Sequence, residues 1–426
     1  MGDSRIIRIW AREVLDSRGN PTVEAEVHTP SLVATGIAPS GASTGKYEVL
    51  ELRDGGKRFG GKGVMNAVEN VRRIIGPRLE GMDVTCQKEI DKTMIELDGT
   101  MNKARLGGNA ITAVSMACAR AGSMAADLSL HEYLGTGSNL LPVPMMNIIN
   151  GGKHAGSNLR IQEFMIVPAG AKSFSEAYRI GSEIYHALKE ILRASYGSNS
   201  TNVGDEGGFA PPIGDTREAL DVIEEAIRVS GHSPGKDVFM ALDSAASEFF
   251  SHDFYEIDGK KLKADEMIDF YEGLARDYPI LSLEDPLEEN SFEETALLTK
   301  RLGAKVQIVG DDLFVTNVER IKKGVEIGAA NALLLKVNQI GTITESFEAA
   351  AFSLRSGYGV IVSHRSGETE DTSISDIAVA LGCGQIKSGA PTRAERTAKY
   401  NRLLRIEETL GTRARFSGMN SYGKYN

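Results

Sequence analysis

Cysteine is scarce in this 426-residue chain: Cys86, Cys118 and Cys383 stand far apart, and no Cys-x-x-Cys occurs. An odd, scattered set gives neither a disulfide framework nor a thiolate metal site, and it suits a reducing compartment. The three read as small buried residues. Long apolar runs are missing too, since none reaches the roughly 20 residues that a membrane span needs. The opening MGDSRIIRIW lacks the basic-then-apolar profile of a secretory signal. Myristoylation at Gly2 wants Ser or Thr where Ile6 stands. A cytoplasmic location is therefore expected, and any secreted or cell-surface presence would arise without a signal peptide. Positive charge is short: 48 Lys and Arg face 58 Asp and Glu, a net charge of −10. That disfavours nucleic acid and anionic membranes as partners. The Gly/Ser-rich PSGASTG (39–45) does not meet the GxxxxGK[ST] requirement, so it is no phosphate-binding P-loop. No internal repeat or low-complexity tract stands out.

What is present is a globular composition, 41% hydrophobic and 25% charged. The length exceeds one ordinary core and suggests two domains, one of them barrel-sized. Six short apolar runs in the second half each end in a charged or metal-binding side chain: FMALD, ILSLED, VQIVGDD, ALLLKVN, GVIVSHR and GQIKSG. The terminal residues are Asp243, Glu284, Asp311, Lys336, His364 and Lys387. Segments of mostly helical period separate them. Strand and helix alternating, with the polar residue at the strand's C-terminal end, is how a (β/α) barrel assembles its site.

The first 130 residues have a different texture. IIRIWAREVLD and PTVEAEVHT read as a hairpin around SRGNP, with Val23, Ala25 and Val27 on one face and Glu24, Glu26 and His28 on the other. Helical stretches follow near 64–76, 86–97 and 108–127, the last rich in small residues. Gly, Ser and Pro concentrate at 135–144 and mark a boundary. The expected domains are thus 1–135, an α+β cap, and 140–426, the barrel. The barrel's start looks irregular. VPMMNIIN and EFMIVPA are two strands with no helix between them, and two helical patterns follow at about 174–194 and 216–229. The fold class expected is α/β, an irregular (β/α)8 barrel with a ββαα start.

On such a barrel Asp243, Glu284 and Asp311 would end successive strands and converge. Unpaired they would repel, and a hard divalent cation such as Mg²⁺ relieves this with oxygen ligands. The plainer reading makes them helix caps or surface ion pairs. The doublets Glu284-Asp285 and Asp311-Asp312 leave open which partner acts. Lys336 closes a strongly apolar strand, so desolvation would favour its neutral form and suit it as a base; a structural ion pair is the alternative. Lys387 could neutralise a substrate carboxylate. In SHRSGE (363–368), Arg365 offers a fork and Ser366 a hydroxyl for carboxylate or phosphate, unless the segment is only a surface loop. NVGDEGG (202–208) carries Asp205 and Glu206 among glycines, and Glu163 lies in LRIQEF on an early strand. Two carboxyls brought together raise each other's proton affinity, so one could act as an acid. His154 in GGKHAG is a lone histidine, a type more often structural than functional. Ser43 as a metal ligand is an idea the residues alone do not support.

Taken in order, SGASTG, GGKHAG with IQEFM, NVGDEGG, LSLEDP, VGDDLFVTN, LLLKVNQIGT, SHRSGETEDT and QIKSGAPTR resemble the enolase family from about Ile7 to Gly418. DSRGNPTVE and RFGGKGV match as well. The resemblance implies interconversion of 2-phosphoglycerate and phosphoenolpyruvate with two Mg²⁺ ions. It implies that Asp243, Glu284 and Asp311 hold the first ion, and that Ser43 helps to hold the second. Lys336 would be the base at C2, and Glu206, assisted by Glu163, the acid for hydroxide departure. Arg365 and Ser366 would take phosphate and Lys387 carboxylate. Gln162, His154 and His364 would complete the pocket. The resemblance also implies a homodimer, in some members an octamer, with Arg12 and Arg18 against Glu408 and Glu183 of a partner. A related racemase or cycloisomerase would show Lys-x-Lys on an early strand, where this chain reads IQEF. A non-catalytic interaction protein would lack a ligand or base, and every candidate is present. A secondary binding role at the cell surface is compatible with the sequence.

Overall fold

The computed structural model describes residues 4–42, 45–155 and 159–423, excepting the side chains of residues 154 and 155. The predicted hairpin is there: Arg8–Leu15 pairs antiparallel with Pro21–His28, Ala11 opposite Ala25. Val23, Ala25 and Val27 are fully buried, so the period-2 pattern decides the face. Val33–Ile37 adds a third antiparallel strand that the sequence reading did not predict. Helix Gly108–Ala125 lies against this sheet with most of its surface buried. Its small side chains permit a close approach at Gly36, where a Cβ would stand 2.5 Å from the backbone N of Ala117 and 2.6 Å from the carbonyl of Ala113. The stretch expected as a helix near 64–76 runs on to Leu79 through a π turn at Val71–Ile75. Pro77 has no N–H to give the preceding turn, and the chain widens just before it.

The barrel closes with eight strands. Val143–Asn150 runs antiparallel to Glu163–Val167, which runs antiparallel to Phe239–Asp243; every other neighbour pair is parallel. Only Glu163–Val167 is therefore reversed. Helices Phe174–Tyr196 and Thr216–Val229 follow it, which gives the ββαα start. Each begins where a side chain supplies the missing acceptor. The Ser173 hydroxyl accepts from Glu176 N–H at 3.1 Å, and Asp215 accepts from Arg217 and Glu218 N–H at 2.8 and 3.2 Å. Along the first helix Ala177, Ile180, Ile184, Leu188 and Leu192 form the buried stripe. Burying each of its Ile and Leu side chains contributes roughly 1.5–3 kcal/mol.

Inside the barrel Val143, Met165, Ala241, Val309, Leu334 and Ile361 pack together. Gln307 and Gln385 donate to each other's amide oxygens at 3.0 and 2.9 Å, which pairs two buried amides. Residues of the first 130 positions lie over the C-terminal strand ends. Ser40 and Gly367 exchange backbone hydrogen bonds of 2.8 Å, and Val49 N–H reaches the Gln339 carbonyl at 3.0 Å.

Candidate active site

Strand register sets the first row of carboxylates. Glu163 stands opposite Asp243, and Asp243 opposite Glu284, at one end of the barrel. All three are at least 97% buried. Such a row repels itself unless cations intervene. Here Lys387, from the last strand, places its ammonium 2.8 Å from Asp243 Oδ2, 2.8 Å from both Glu284 oxygens and 3.4 Å from Glu163 Oε2. Asp311 is held likewise by the Lys336 ammonium on Oδ2, and accepts from Gln339 Nε2 on Oδ1 at 2.8 Å. Each carboxylate expected to ligate metal thus already holds a positive group. The donor set is all oxygen, which suits a hard divalent cation.

Burial and these pairings shift the carboxyls in opposite directions. Burial and then Asp243 push Glu284 well above the usual carboxylate range. Burial also opposes ionisation of Asp243, but the Lys387 ammonium outweighs it and holds Asp243 below its ordinary value. The neutral Lys336 expected from desolvation is not what this arrangement favours. Burial pushes its amine down, yet the Asp311 and Glu284 carboxylates together leave it raised. The doublet partner Asp285 has another task. Its two oxygens accept from the backbone N–H groups of Asp311 and Asp312 at 2.9 and 2.7 Å, and burial followed by Asp311 pushes it up to about 8. Asp285, Asp311 and Asp312 bring one ligating atom each within 4.8 Å of one another, as do Glu163, Glu206 and His364.

Across the cavity, the NVGDEGG turn delivers Glu206, 2% exposed. Its Oε2 accepts from Asn147 Nδ2 at 3.1 Å and lies 3.4 Å from His364 Nε2. Burial, then the Glu206 carboxyl, raise Glu163 well above the ordinary range. His364 Nδ1 faces Arg396 Nη1 at 2.6 Å. A guanidinium only donates, so Nδ1 is the acceptor and the ring proton sits on Nε2, toward Glu206. Burial, with Arg396 adding to it, depresses His364 to about 4. Gln162 Nε2 reaches Asp243 Oδ2 at 3.4 Å. Arg365 lies in a bidentate pair with Glu48, and the Ser366 hydroxyl accepts from Ala42 N–H at 2.6 Å.

The structure therefore brings Gln162, Glu163, Glu206, Asp243, Asp311, Lys336, His364, Arg365, Ser366 and Lys387 around one cavity. Its volume is about 20 Å³, room for little more than a water. Ser43 lies outside the described residues. His154 falls in the short helix Gly152–Ala155, and its side chain is also outside them. Sequence reasoning missed Arg396, Glu48, Gln339 and Asn147. Arg396 sits inside a helix, and Glu48 in a loop far in sequence from the barrel strands, so neither follows a strand-end rule.

Sequence comparison decides the family. The enolase N-terminal domain matches residues 6–134, and the enolase C-terminal TIM barrel domain matches residues 138–425. The chain belongs to the enolase family. The enolase of Methanopyrus kandleri is 60% identical over 422 residues, covering 98% of this chain and 99% of that protein. The enolase of Methanocaldococcus jannaschii is 59% identical over 414 residues, 97% of each chain. The enolase of Pyrococcus furiosus is 56% identical over 416 residues, again 97% of each. Because enolase similarity runs through both parts of the chain, the racemase and cycloisomerase alternative gives way. Among the described residues no helix is long and apolar enough to cross a membrane.

Proposed function

We propose that the chain carries out the enolase reaction, reversible dehydration of 2-phosphoglycerate to phosphoenolpyruvate, through the residues gathered here. Family membership supports the overall hydro-lyase reaction. One observation supports the division of roles. Round the closed ring, the strand preceding Lys336 stands four places of eight from the strand that begins with Glu163. A base on Lys336 and an acid on the Glu163–Glu206 side therefore face each other across one cavity. Loss of a proton from C2 and of hydroxide from C3 needs groups on both sides of the substrate.

In this reading Lys336 Nζ takes the C2 proton. It can do so once Asp311 no longer pairs with it, because burial then favours the neutral amine. Glu206, backed by Glu163 and by the Nε2 proton of His364, gives a proton to the departing C3 oxygen. Arg365 and Ser366 hold phosphate, Lys387 holds carboxylate, and Gln162 and His154 line the pocket. Asp243, Glu284 and Asp311 would hold one Mg²⁺ and Ser43 would help to hold a second, supplying the positive charge beside which a carboxylate-bearing substrate can lose a proton. A homodimer, cytoplasmic location and assembly to octamers in some members belong to the same family-based proposal.

The test is direct. Ultraviolet absorbance of phosphoenolpyruvate should grow when the protein meets 2-phosphoglycerate and Mg²⁺, and should not grow with a chelator. No absorbance change with both present would overturn the reading.

A further inference from the structure

Glu48 comes from YEVLELRD, outside the barrel, yet its side chain is 5% exposed and lies beside the strand-end residues. Oε2 accepts from Arg365 Nη1 at 2.9 Å, and Oε1 accepts from Arg365 Nη2 at 3.1 Å. The two hydrogen bonds make a fork-to-fork pair. Glu48 is itself anchored. Its Oε1 accepts from Gly45 N–H at 3.0 Å and from Gln339 Nε2 at 3.3 Å. Gln339 in turn donates to Asp311 and accepts from the Thr316 hydroxyl at 2.8 Å. Asn338 Oδ1 takes a further hydrogen bond from Arg365 Nη1 at 2.9 Å.

An arginine stem has several rotatable bonds, and a buried guanidinium without a counter-ion is strongly unfavourable. A carboxylate fixed by two other groups sets the plane of that guanidinium. We propose that Glu48 is a positioning residue for the phosphate of the substrate: it holds Arg365 in the orientation from which Arg365 and Ser366 receive that phosphate. The proposal rests on the reading that these two residues are the phosphate anchors. Because Glu48 also accepts from Gly45 N–H, the same carboxylate ties Gly45 to the anchor. The residue belongs to the N-terminal family domain and Arg365 to the barrel domain, so neither completes the anchor alone.

The test compares wild type with Glu48→Gln and Glu48→Asp in steady-state turnover of 2-phosphoglycerate with Mg²⁺, and in inhibition by inorganic phosphate. Loss of a charge-assisted fork should raise KM in Glu48→Gln by about tenfold and weaken phosphate inhibition in parallel, with kcat within about threefold. Glu48→Asp keeps the charge but shortens the reach, and should fall between the two. A merely structural role would lower kcat and the melting temperature while leaving KM and phosphate inhibition alone. An unchanged KM, or tighter phosphate binding, in a folded Glu48→Gln protein would overturn the proposal; tighter binding would mean that Glu48 competes with phosphate. If circular dichroism shows Glu48→Gln unfolded, Glu48→Asp decides, with an unchanged KM counting against it. Wild-type protein inert toward 2-phosphoglycerate would instead defeat the proposed function itself, before any variant is compared.

Discussion

His364 shows how much a single hydrogen bond settles at the residue scale. Arg396 occupies Nδ1, so the ring proton points at Glu206 and the imidazole stays neutral. Its value of about 4 in the fold lies below the ordinary 6.5. Between those values the unfolded chain binds a proton that the folded chain does not, so stability falls as pH falls. The contribution is fully present above about pH 6.5, lost as pH drops toward 4, and amounts to roughly 3 kcal/mol. Urea unfolding at pH 7.5, 6 and 5 should show the decline, and His364→Asn should flatten that part of the slope. An identical slope in the variant would mean that other groups carry it. On the proposed roles, Lys336 and Glu206 would each serve one half of the reaction. Lys336→Ala should abolish exchange of the C2 proton with deuterated water as well as turnover. Glu206→Gln should lose about 10² to 10⁴-fold in turnover yet retain much of the exchange. NMR of 2-phosphoglycerate in deuterated water reads both, and exchange by Lys336→Ala at the wild-type rate would remove Lys336 from the role of base.

At the scale of elements, the third strand's contact with the Gly108–Ala125 helix leaves no space for a side chain at Gly36, where both near neighbours are backbone atoms. Gly36→Ala should destabilise by about 1–3 kcal/mol, measured by urea unfolding, with KM unchanged; a neutral result would mean that the helix can shift. Much of this architecture was legible. Apolar runs closed by Asp243, Glu284, Asp311, Lys336, His364 and Lys387 revealed the strands and the end at which they meet, because a barrel strand shows its chemistry where it stops. Val33–Ile37 was not legible, since VATGI is short and carries a glycine. Glu163 escaped the strand-end rule for a geometric reason: its strand is reversed, so the site is met by its first residue, not its last. Arg396 and Glu48 escaped it because tertiary packing alone brings them to the strand ends. The charge of Lys336 could not be read either, since it depends on a carboxylate 25 positions away.

For the whole molecule, both arginines implied at a subunit contact also have partners within their own chain. Within one chain Arg12 pairs with Glu24 and Glu26 of the neighbouring strand. Arg18 is largely buried, donating to Asp16, Ser40, Gly41 and the Ser366 hydroxyl. Arg18→Glu should therefore raise KM for 2-phosphoglycerate more than it loosens a dimer. Sedimentation velocity across dilution, with steady-state kinetics on the same preparation, checks this; a dissociated variant with normal KM would restore the intersubunit reading. Removing Mg²⁺ with a chelator should abolish turnover, and restoring it should recover activity; full turnover in excess chelator would rule out the metal site.

The mutual ion pairing of the cavity has a consequence for the order of events. Lys387 with Asp243 and Glu284, and Lys336 with Asp311, make this part of the folded site electrically self-contained. It behaves like an ion-exchange bead already loaded with its own counter-ions. A cation arriving alone must displace an ammonium, and an anion arriving alone finds the ammoniums engaged. When both arrive, each takes up the partner that the other has released. Metal and substrate should therefore strengthen each other's binding reciprocally.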